Sequence, residues 1–247
     1  MPANHPVLPN HRPLAIAHRG GNDLQSARDA IDLRVDMLEA DIWPFHGRLE
    51  VRHTKTIGPL PIYWEKWCIE SICGRQMRLA GLLKGTPVET RLFLDLKGRF
   101  PRLGHRVVNT IQRIQPEREI VVCGRNWRQL DAIASIPNVH VFYSVGEEDQ
   151  LARVWSKLEG QPNRAVSINY GLLTEQTVAR FNDLGTTIIA WTVNDPAVAR
   201  TLFHLGVDGF TSDNREMLGR IARLRERAFE DDDTANLPDE PDRKGED

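Results

Sequence analysis

The sequence predicts an α/β fold, a single (β/α)8 TIM barrel, and two observations lead to that prediction. Short runs typical of β-strands alternate with helix-like segments, which indicates a parallel sheet with helical crossovers. The length of 247 residues suits one barrel, and an apolar content of 40% suffices for a large core. Nine runs are strand candidates: 14–17, 37–42, 49–52, 92–96, 120–123, 139–143, 165–168, 187–193 and 209–211.

One of these nine candidates is in excess, because a barrel of this kind has eight strands. The segment between Asp41 and Leu49 is too short for a helical crossover, so one run beside it lies outside the barrel. The sequence does not decide which run that is.

Two helices carry clear start and stop signals. In "LTEQTVARFNDLG" Thr174 is a candidate N-cap and Gly185 ends the apolar pattern. In "DPAVARTLFHLG" Asp195 is a candidate N-cap, Pro196 takes the first helical position and Gly206 ends the helix. These segments predict two of the crossover helices.

Composition and charge divide the chain into three expected parts: a polar, proline-rich N-terminal extension (1–12), the barrel domain (13–228) and a disordered acidic tail (229–247). The tail holds nine acidic and two basic residues, a net charge of −7, whereas the whole chain has −2. The rest of the chain is therefore at about +5, which suits a small anionic ligand. It lacks the clusters of lysine and arginine that are typical of proteins that bind nucleic acid.

The expected location of the protein is the cytoplasm. No run of about 18 apolar residues predicts a transmembrane segment, and the N-terminus lacks the apolar centre of a secretion signal. The three cysteines, Cys68, Cys73 and Cys123, show no spacing typical of a metal site and cannot all pair.

Acidic side chains follow one face of two predicted strands. Alternation places Glu39 and Asp41 of "MLEADIW", and Asp95 and Lys97 of "LFLDLKG", opposite the apolar faces of their strands. Three carboxylates that converge at the carboxyl end of a barrel would repel one another unless a cation lay between them. Oxygen ligands favour Mg²⁺ or Ca²⁺, so we predict one divalent cation at Glu39, Asp41 and Asp95. A buried salt-bridge network is the alternative.

Two imidazoles end two other runs. His18 and Arg19 follow the apolar start of "IAHRGGN", and His53 ends "LEVRH". Imidazole titrates near neutral pH, so one histidine can accept a proton while the other donates one. Arg19 and Lys97 would neutralise an anionic substrate group beside the cation.

Six blocks of the chain resemble the glycerophosphodiester phosphodiesterase family of phospholipase-C-like TIM barrels. They are "HRG" (18–20), "EAD" (39–41), the His53 strand, "LDLK" (94–97), "AWTVNDP" (190–196) and "LGVDGFTSD" (205–213). The resemblance implies hydrolysis of a glycerophosphodiester to glycerol 3-phosphate and an alcohol. It also implies a role for each matching residue: His18 and His53 as the acid–base pair, Glu39, Asp41 and Asp95 as metal ligands, and Arg19, Lys97, Trp191 and Asn22 as substrate-binding residues.

Three positions depart from the pattern of that family. Gly21 and Thr54 stand where acidic residues are usual, and Asp95 stands where the family usually has glutamate. Aspartate at the third metal position also resembles the sphingomyelinase D-like branch. A lysophospholipase D or sphingomyelinase D-like lipid phosphodiesterase, and a barrel that binds phosphodiesters without turnover, are therefore alternatives.

The segment 62–73, "IYWEKWCIESIC", is an expected insertion after the second histidine. Its apolar residues have a helix-like spacing, which predicts a face that packs on the barrel, or one that makes transient contact with a lipid surface. Those residues are Ile62, Trp64, Trp67, Cys68, Ile69, Ile72 and Cys73. The oligomeric state is left open.

Overall fold

The architecture is a closed barrel of eight parallel strands surrounded by helices. The structure is a computed structural model that describes residues 12–65, 68–72, 76–161 and 164–223. In chain order the strands are β1 (Leu14–Ala17), β2 (Met37–Phe45), β3 (Arg48–Val51), β4 (Lys55–Ile57), β5 (Leu60–Glu65), β6 (Cys68–Ile72), β7 (Met77–Arg78), β8 (Arg91–Leu96), β9 (Ile120–Gly124), β10 (Val139–Val145), β11 (Ala165–Asn169), β12 (Thr187–Trp191) and β13 (Gly209–Ser212).

The barrel consists of β1, β2 and β8 to β13. Strand β1 pairs in parallel with both β2 and β13, which closes the ring and confirms the predicted fold class. Eight α-helices lie in the described ranges: α1 (Leu24–Asp32), α2 (Leu79–Gly85), α3 (Leu103–Ile114), α4 (Trp127–Asp131), α5 (Glu148–Glu159), α6 (Glu175–Asp183), α7 (Pro196–Leu205) and α8 (Arg215–Arg223). None of the described helices is long and apolar enough to cross a membrane.

The predicted helix signals act as expected. The Thr174 side chain accepts a hydrogen bond from the backbone N–H of Thr177 and so caps α6. Asp195 caps α7 through the N–H of Ala197, with Pro196 at the first helical position. Gly206 ends α7 with a φ of 104°, a conformation that glycine adopts without a steric penalty.

The surplus strand candidate is the run predicted at 49–52, which lies outside the barrel. It forms β3, which turns back antiparallel on the end of β2, so that Phe45 pairs with Arg48. His46 and Gly47 make this two-residue turn with φ values of 42° and 75°. Positive φ at both residues matches the right-handed twist of a hairpin. The hairpin therefore extends β2 beyond the mouth of the barrel.

The prediction of a helix-like face over 62–73 is wrong, because this insertion is a three-stranded antiparallel sheet of β4, β5 and β6. A spacing of two residues also fits a strand, and here alternation turns Tyr63 inward, where it is 2% exposed. Ile69 is 62% exposed and does not pack on the barrel. Trp67 and Cys73 lie outside the described residues, as do the acidic tail and residues 1–11 of the extension.

Alternation along the barrel strands separates two apolar layers. Leu38, Ala40 and Leu94 belong to the layer between the sheet and the helices. Phe93 and Phe142 belong to the layer inside the barrel, where their rings meet edge to face with centroids 5.2 Å apart. Residues that share the face of Phe93 therefore point inward, and this places Asp95 toward the barrel axis, as predicted.

Candidate active site

The three predicted metal ligands converge at the carboxyl end of the barrel. Strands β2 and β8 pair so that Asp41 lies beside Asp95, and Glu39 lies two residues earlier on the same face. One carboxylate oxygen from each residue lies within 4.8 Å of the others. Glu39 and Asp41 are buried, at 5% and 1% exposure. The donor set is all oxygen and thus fits a hard divalent cation such as Mg²⁺ or Ca²⁺.

The three carboxylates of this cluster carry more negative charge than the neighbouring lysine can offset. Lys97 is the cation among them: its Nζ lies 2.8 Å from Asp41 Oδ1 and also contacts Asp95. Burial raises the pKa of Glu39 well above its usual range, and the charges of Asp41 and Asp95 add to that rise. One lysine therefore does not offset three carboxylates, and a bound divalent cation would remove the remaining repulsion.

Lys97 and Asp41 stabilise each other's charge. Burial opposes ionisation of Asp41, but Lys97 and the amide of Asn22 outweigh it and lower the pKa of Asp41. Burial likewise opposes a charged Lys97, but Asp95, Asp41 and Glu39 outweigh it and raise the pKa of Lys97. Asp41 and Lys97 are therefore both charged at neutral pH.

Asn22 orients Asp41. Its Nδ2 donates to Asp41 Oδ2 at 2.8 Å, and its Oδ1 accepts from the Asp41 backbone N–H at 2.9 Å. The neighbouring Gly21 has no room for a side chain, because a Cβ there would lie 2.8 Å from the Cβ of Ala40. The structure thus gives a steric reason for glycine at this departure from the family pattern.

Arg19 connects the predicted metal ligands to the second histidine. Its backbone has a φ of 54°, which is uncommon for a residue other than glycine, and its N–H donates to Glu39 Oε2 at 2.6 Å. Its guanidinium Nη2 lies 2.7 Å from His53 Nε2 and 3.5 Å from Glu65 Oε1. Arg19 therefore lies between the predicted metal ligands and His53.

His18 is held by a carboxylate at the end of β13. Its Nδ1 lies 2.7 Å from Asp213 Oδ1, and an ionised carboxylate only accepts, so Nδ1 carries the ring proton. Asn194 in turn accepts from the backbone N–H of Asp213 at 2.8 Å. The Nε2 of His18 is then the atom that can exchange a proton with a substrate.

His53 reaches the site from the hairpin rather than from a barrel strand. The N–H of Arg52 donates to the backbone oxygen of Asp41 at 3.0 Å, which fixes the chain just before His53. The guanidinium of Arg52 is buried, lies 2.8 Å from Glu50 and contacts the carbonyl of Thr54. His53 Nδ1 lies 3.0 Å from Glu65 Oε1 on the insertion sheet.

A cavity of about 820 Å³ unites these groups. Its described lining includes eight of the nine predicted site residues: His18, Arg19, Glu39, Asp41, His53, Asp95, Lys97 and Trp191. The ninth, Asn22, bonds to Asp41 from outside that lining. The guanidinium of Arg125 lies over Trp191, 5.6 Å from its ring centroid, so a cation already covers this wall of the cavity.

Three supporting residues, Asp213, Glu65 and Arg52, were not singled out from the sequence. Asp213 ends the block "LGVDGFTSD", and its position after a predicted strand was a usable signal. Glu65 lies in the segment predicted as helix-like, where nothing pointed to His53. Arg52 precedes His53 in a run treated only as apolar.

Comparisons with known proteins agree with this architecture. The model of the "Glycerophosphoryl diester phosphodiesterase family" matches residues 102–217, which contain the blocks at 190–196 and 205–213. "HRG", "EAD" and His53 lie before the matched region. Glycerophosphodiester phosphodiesterase GDPD4 of Arabidopsis thaliana is 24% identical over 262 residues, which cover 90% of this chain and 77% of that protein.

Solved structures share the fold at low identity. A phosphodiesterase of Oleispira antarctica in complex with the product sn-glycerol-3-phosphate has a TM-score of 0.70 and 18% identity, over 86% of this chain and 97% of that one. A glycerophosphodiester phosphodiesterase of Thermotoga maritima has a TM-score of 0.67 and 17% identity, over 86% of this chain and 100% of that one.

Proposed function

We propose that this chain, which belongs to the glycerophosphodiester phosphodiesterase family, is a metal-dependent phosphodiesterase that releases glycerol 3-phosphate and an alcohol from glycerophosphodiesters. The observation that carries the proposal is the convergence of Glu39, Asp41 and Asp95 at one end of the barrel. The two histidines flank the same cavity. The glycerol 3-phosphate bound to the Oleispira antarctica protein supports this product class.

The residues of the chain divide the chemistry between binding and proton transfer. Glu39, Asp41 and Asp95 would hold Mg²⁺ or Ca²⁺, which when bound polarises a phosphoryl oxygen. Arg19 and Lys97 lie beside these ligands and bind the phosphate oxygens, where they stabilise the charge that develops in the transition state. His18 and His53 exchange protons with the attacking and leaving oxygens through their Nε2 atoms.

A lysophospholipid is the second candidate substrate, and the insertion sheet favours it. Ile57, Leu60 and Ile69 are exposed at 49%, 51% and 62%, and all three lie on the β4–β6 sheet that also brings Glu65 beside His53. An acyl chain would find an apolar surface there. The position of Arg125 disfavours stacking of a choline headgroup on Trp191. Its guanidinium already covers the aromatic face that would otherwise attract a quaternary ammonium.

The test compares the wild type with Asp41→Asn and His18→Ala after chelation and addition of Mg²⁺ or Ca²⁺. The substrates are glycerophosphocholine, glycerophosphoethanolamine, lysophosphatidylcholine and sphingomyelin. We expect activity on the glycerophosphodiesters only with a cation. His18→Ala should lower kcat by about 10²- to 10⁴-fold and keep cation binding by calorimetry, whereas Asp41→Asn should lose both.

Two results would contradict this proposal. Full activity of the chelated wild type would remove the role of the cation. Near-normal kcat in His18→Ala, with a lower melting temperature, would make the histidine a structural residue. Cation-dependent cleavage of lysophosphatidylcholine alone would select the second candidate, and thermal stabilisation by all substrates without product would favour a binding barrel.

A further inference from the structure

We propose that Glu65, which the insertion sheet carries into the barrel mouth, is the positioning residue of His53. For its catalytic consequence this inference rests on the proposed function, but the contact itself does not. Glu65 Oε1 lies 3.0 Å from His53 Nδ1 and 3.5 Å from Arg19 Nη2. The Glu65 side chain is 24% exposed, so surrounding protein shields this contact from most of the solvent.

The register of the insertion sheet explains why Glu65 reaches this place. Strands β4 and β5 are antiparallel, and Lys55 pairs with Trp64, which returns residue 65 to the level of Thr54. Glu65 therefore arrives beside His53 although twelve positions separate them in the sequence.

The face of β5 also directs Glu65 toward His53. Tyr63 lies two residues earlier on the same face, is 2% exposed and covers the guanidinium of Arg52 with its ring centroid 5.2 Å away. Trp64 points the other way, where Lys55 lies over its ring at 5.6 Å. The buried contact between Tyr63 and Arg52 thus fixes the face that Glu65 shares.

The donors and acceptors around His53 select one tautomer of its ring. A guanidinium only donates hydrogen bonds, so His53 Nε2, at 2.7 Å from Arg19, must accept. The ring proton is then on Nδ1, a buried atom that has no aligned hydrogen-bond partner among the described residues. The nearby Glu65 Oε1, 3.0 Å away, only accepts, so a small rotation of either side chain would let Nδ1 donate to it. Arg19 and Glu65 therefore favour the same tautomer, in which Nδ1 carries the proton and Nε2 has a free lone pair.

Glu65 matters most when substrate binds. A phosphate oxygen attracts the Arg19 guanidinium more strongly than a neutral imidazole does, so Arg19 turns toward the phosphate and exposes His53 Nε2. Among the described residues, Glu65 is then the charged group that remains beside the ring, 3.0 Å from Nδ1. When Nε2 accepts a proton from a hydroxyl group, the Glu65 carboxylate stabilises the imidazolium that forms, as an orienting carboxylate does in other hydrolases.

The first test observes the ring directly, in the wild-type protein and in two variants. Glu65→Met keeps the length of the side chain but removes the acceptor, whereas Glu65→Gln keeps a neutral acceptor. Long-range ¹⁵N–¹H correlation spectra of ¹⁵N-histidine protein at about pH 8.5, where free imidazole is neutral, report which nitrogen is protonated. Because Arg19 favours the same tautomer, the spectra are also recorded with Arg19→Met added to each protein. In that background we expect protonated Nδ1 with Glu65 or with Glu65→Gln, and a mixture of tautomers with Glu65→Met.

Asp213→Asn is the matched control, because Asp213 is the carboxylate nearest His18 Nδ1 as Glu65 is the one beside His53 Nδ1, and the His18 contact is a formed hydrogen bond. It should change the signals of His18 alone, and Glu65→Met should change those of His53 alone. Unchanged His53 signals when Glu65→Met is added to the Arg19→Met background would overturn the proposal, whether or not the protein has phosphodiesterase activity.

The second test measures turnover. We expect Glu65→Met to lower kcat roughly ten- to a hundredfold, and Glu65→Gln to recover part of it, because an amide oxygen still accepts from Nδ1. A purely structural role predicts the reverse, since methionine packs at least as well as glutamine. Equal kcat in Glu65→Met and wild type, or equal losses in both variants with equal melting temperatures, would exclude a positioning role. A wild type that cleaves no phosphodiester would refute the proposed function and leave the spectra to decide on Glu65.

Discussion

The two ends of the barrel differ in how they bind carboxylates that are fully or partly buried. At the carboxyl end, Glu39, Asp41 and Asp95 converge, and among the described residues Lys97 is the cationic side chain that contacts two of them. At the amino end, Asp36 precedes β2 and accepts two hydrogen bonds of 2.7 Å from Arg12 and a third from the backbone N–H of Ala15. One end thus has an excess of negative charge, and at the other a carboxylate has a complete set of donors.

This difference suggests that the carboxylates at the carboxyl end serve function and that Asp36 at the amino end serves stability. A buried charge that lacks partners costs free energy, so an unbalanced cluster persists where a ligand compensates it. A buried carboxylate with a full set of donors stabilises the fold and has no spare lone pair directed at a ligand. Substitutions at the carboxyl end should therefore change activity, and those at the amino end should change only stability.

The largest effect is expected for Lys97→Met, which should lower both activity and stability. It removes a phosphate contact, for which we expect a loss of about 10²- to 10³-fold in kcat. It also leaves Asp41 and Asp95 without their cation, which should lower the free energy of unfolding of the chelated protein by about 3 kcal/mol. Steady-state kinetics and urea denaturation measure the two effects.

Added Mg²⁺ or Ca²⁺ is the control for Lys97→Met. A divalent cation supplies positive charge to the same three carboxylates, so it should restore more stability to this variant than it adds to the wild type. An equal gain in both proteins would mean that Lys97 and the cation do not share the cluster.

Asp36→Asn should affect stability alone. The substitution removes one acceptor from the bidentate Arg12 contact and leaves a guanidinium that is 9% exposed without its partner charge. We expect the free energy of unfolding to fall by about 3 kcal/mol, measured by urea denaturation, with kcat unchanged at a temperature where the variant is folded. A tenfold loss of kcat in the folded variant would connect the amino end to the reaction and would break the distinction between the two ends.

The parts of the site that follow from strand alternation could be predicted from the sequence. A period of two residues decides that Glu39, Asp41 and Asp95 point inward, and parallel pairing brings the ends of β2 and β8 together. The geometry of a strand decides both the inward direction of these side chains and their proximity. The same argument holds for the caps at Thr174 and Asp195.

The parts that depend on pairing between distant segments could not be predicted. The position of Glu65 depends on the antiparallel register of β4 and β5, and the apolar residues of 62–73 fit a helical period as well as a strand period. The contact between His18 and Asp213 joins the first and last strands of the barrel and exists only because the barrel closes. Local patterns carry no information on either contact.

The smallest effect is expected at Asp208, a carboxylate at the amino end with an incomplete set of donors. Burial raises its pKa to about 6, although the N–H of Ile188 donates to Oδ2 at 2.7 Å and lowers it in part. In the unfolded chain an aspartate titrates near pH 4, so between about pH 4 and 6 the folded protein keeps a proton that the unfolded chain has released. The free energy of unfolding therefore falls as the pH rises through this window, and the loss is constant above it.

Asp208→Asn should remove that loss, because the amide is neutral and its oxygen can still accept from Ile188. We expect a gain on the order of 2 kcal/mol in the free energy of unfolding above about pH 6 and no gain near pH 4, with kcat unchanged. Urea denaturation of wild type and variant across this pH range measures the difference. A gain that is equal at every pH would show that Asp208 costs the fold nothing through its charge, and the amino end would then contain only carboxylates that stabilise it. A gain confined to high pH would instead show that this end, too, tolerates an incompletely bonded carboxylate, but one that a proton rather than a metal ion compensates.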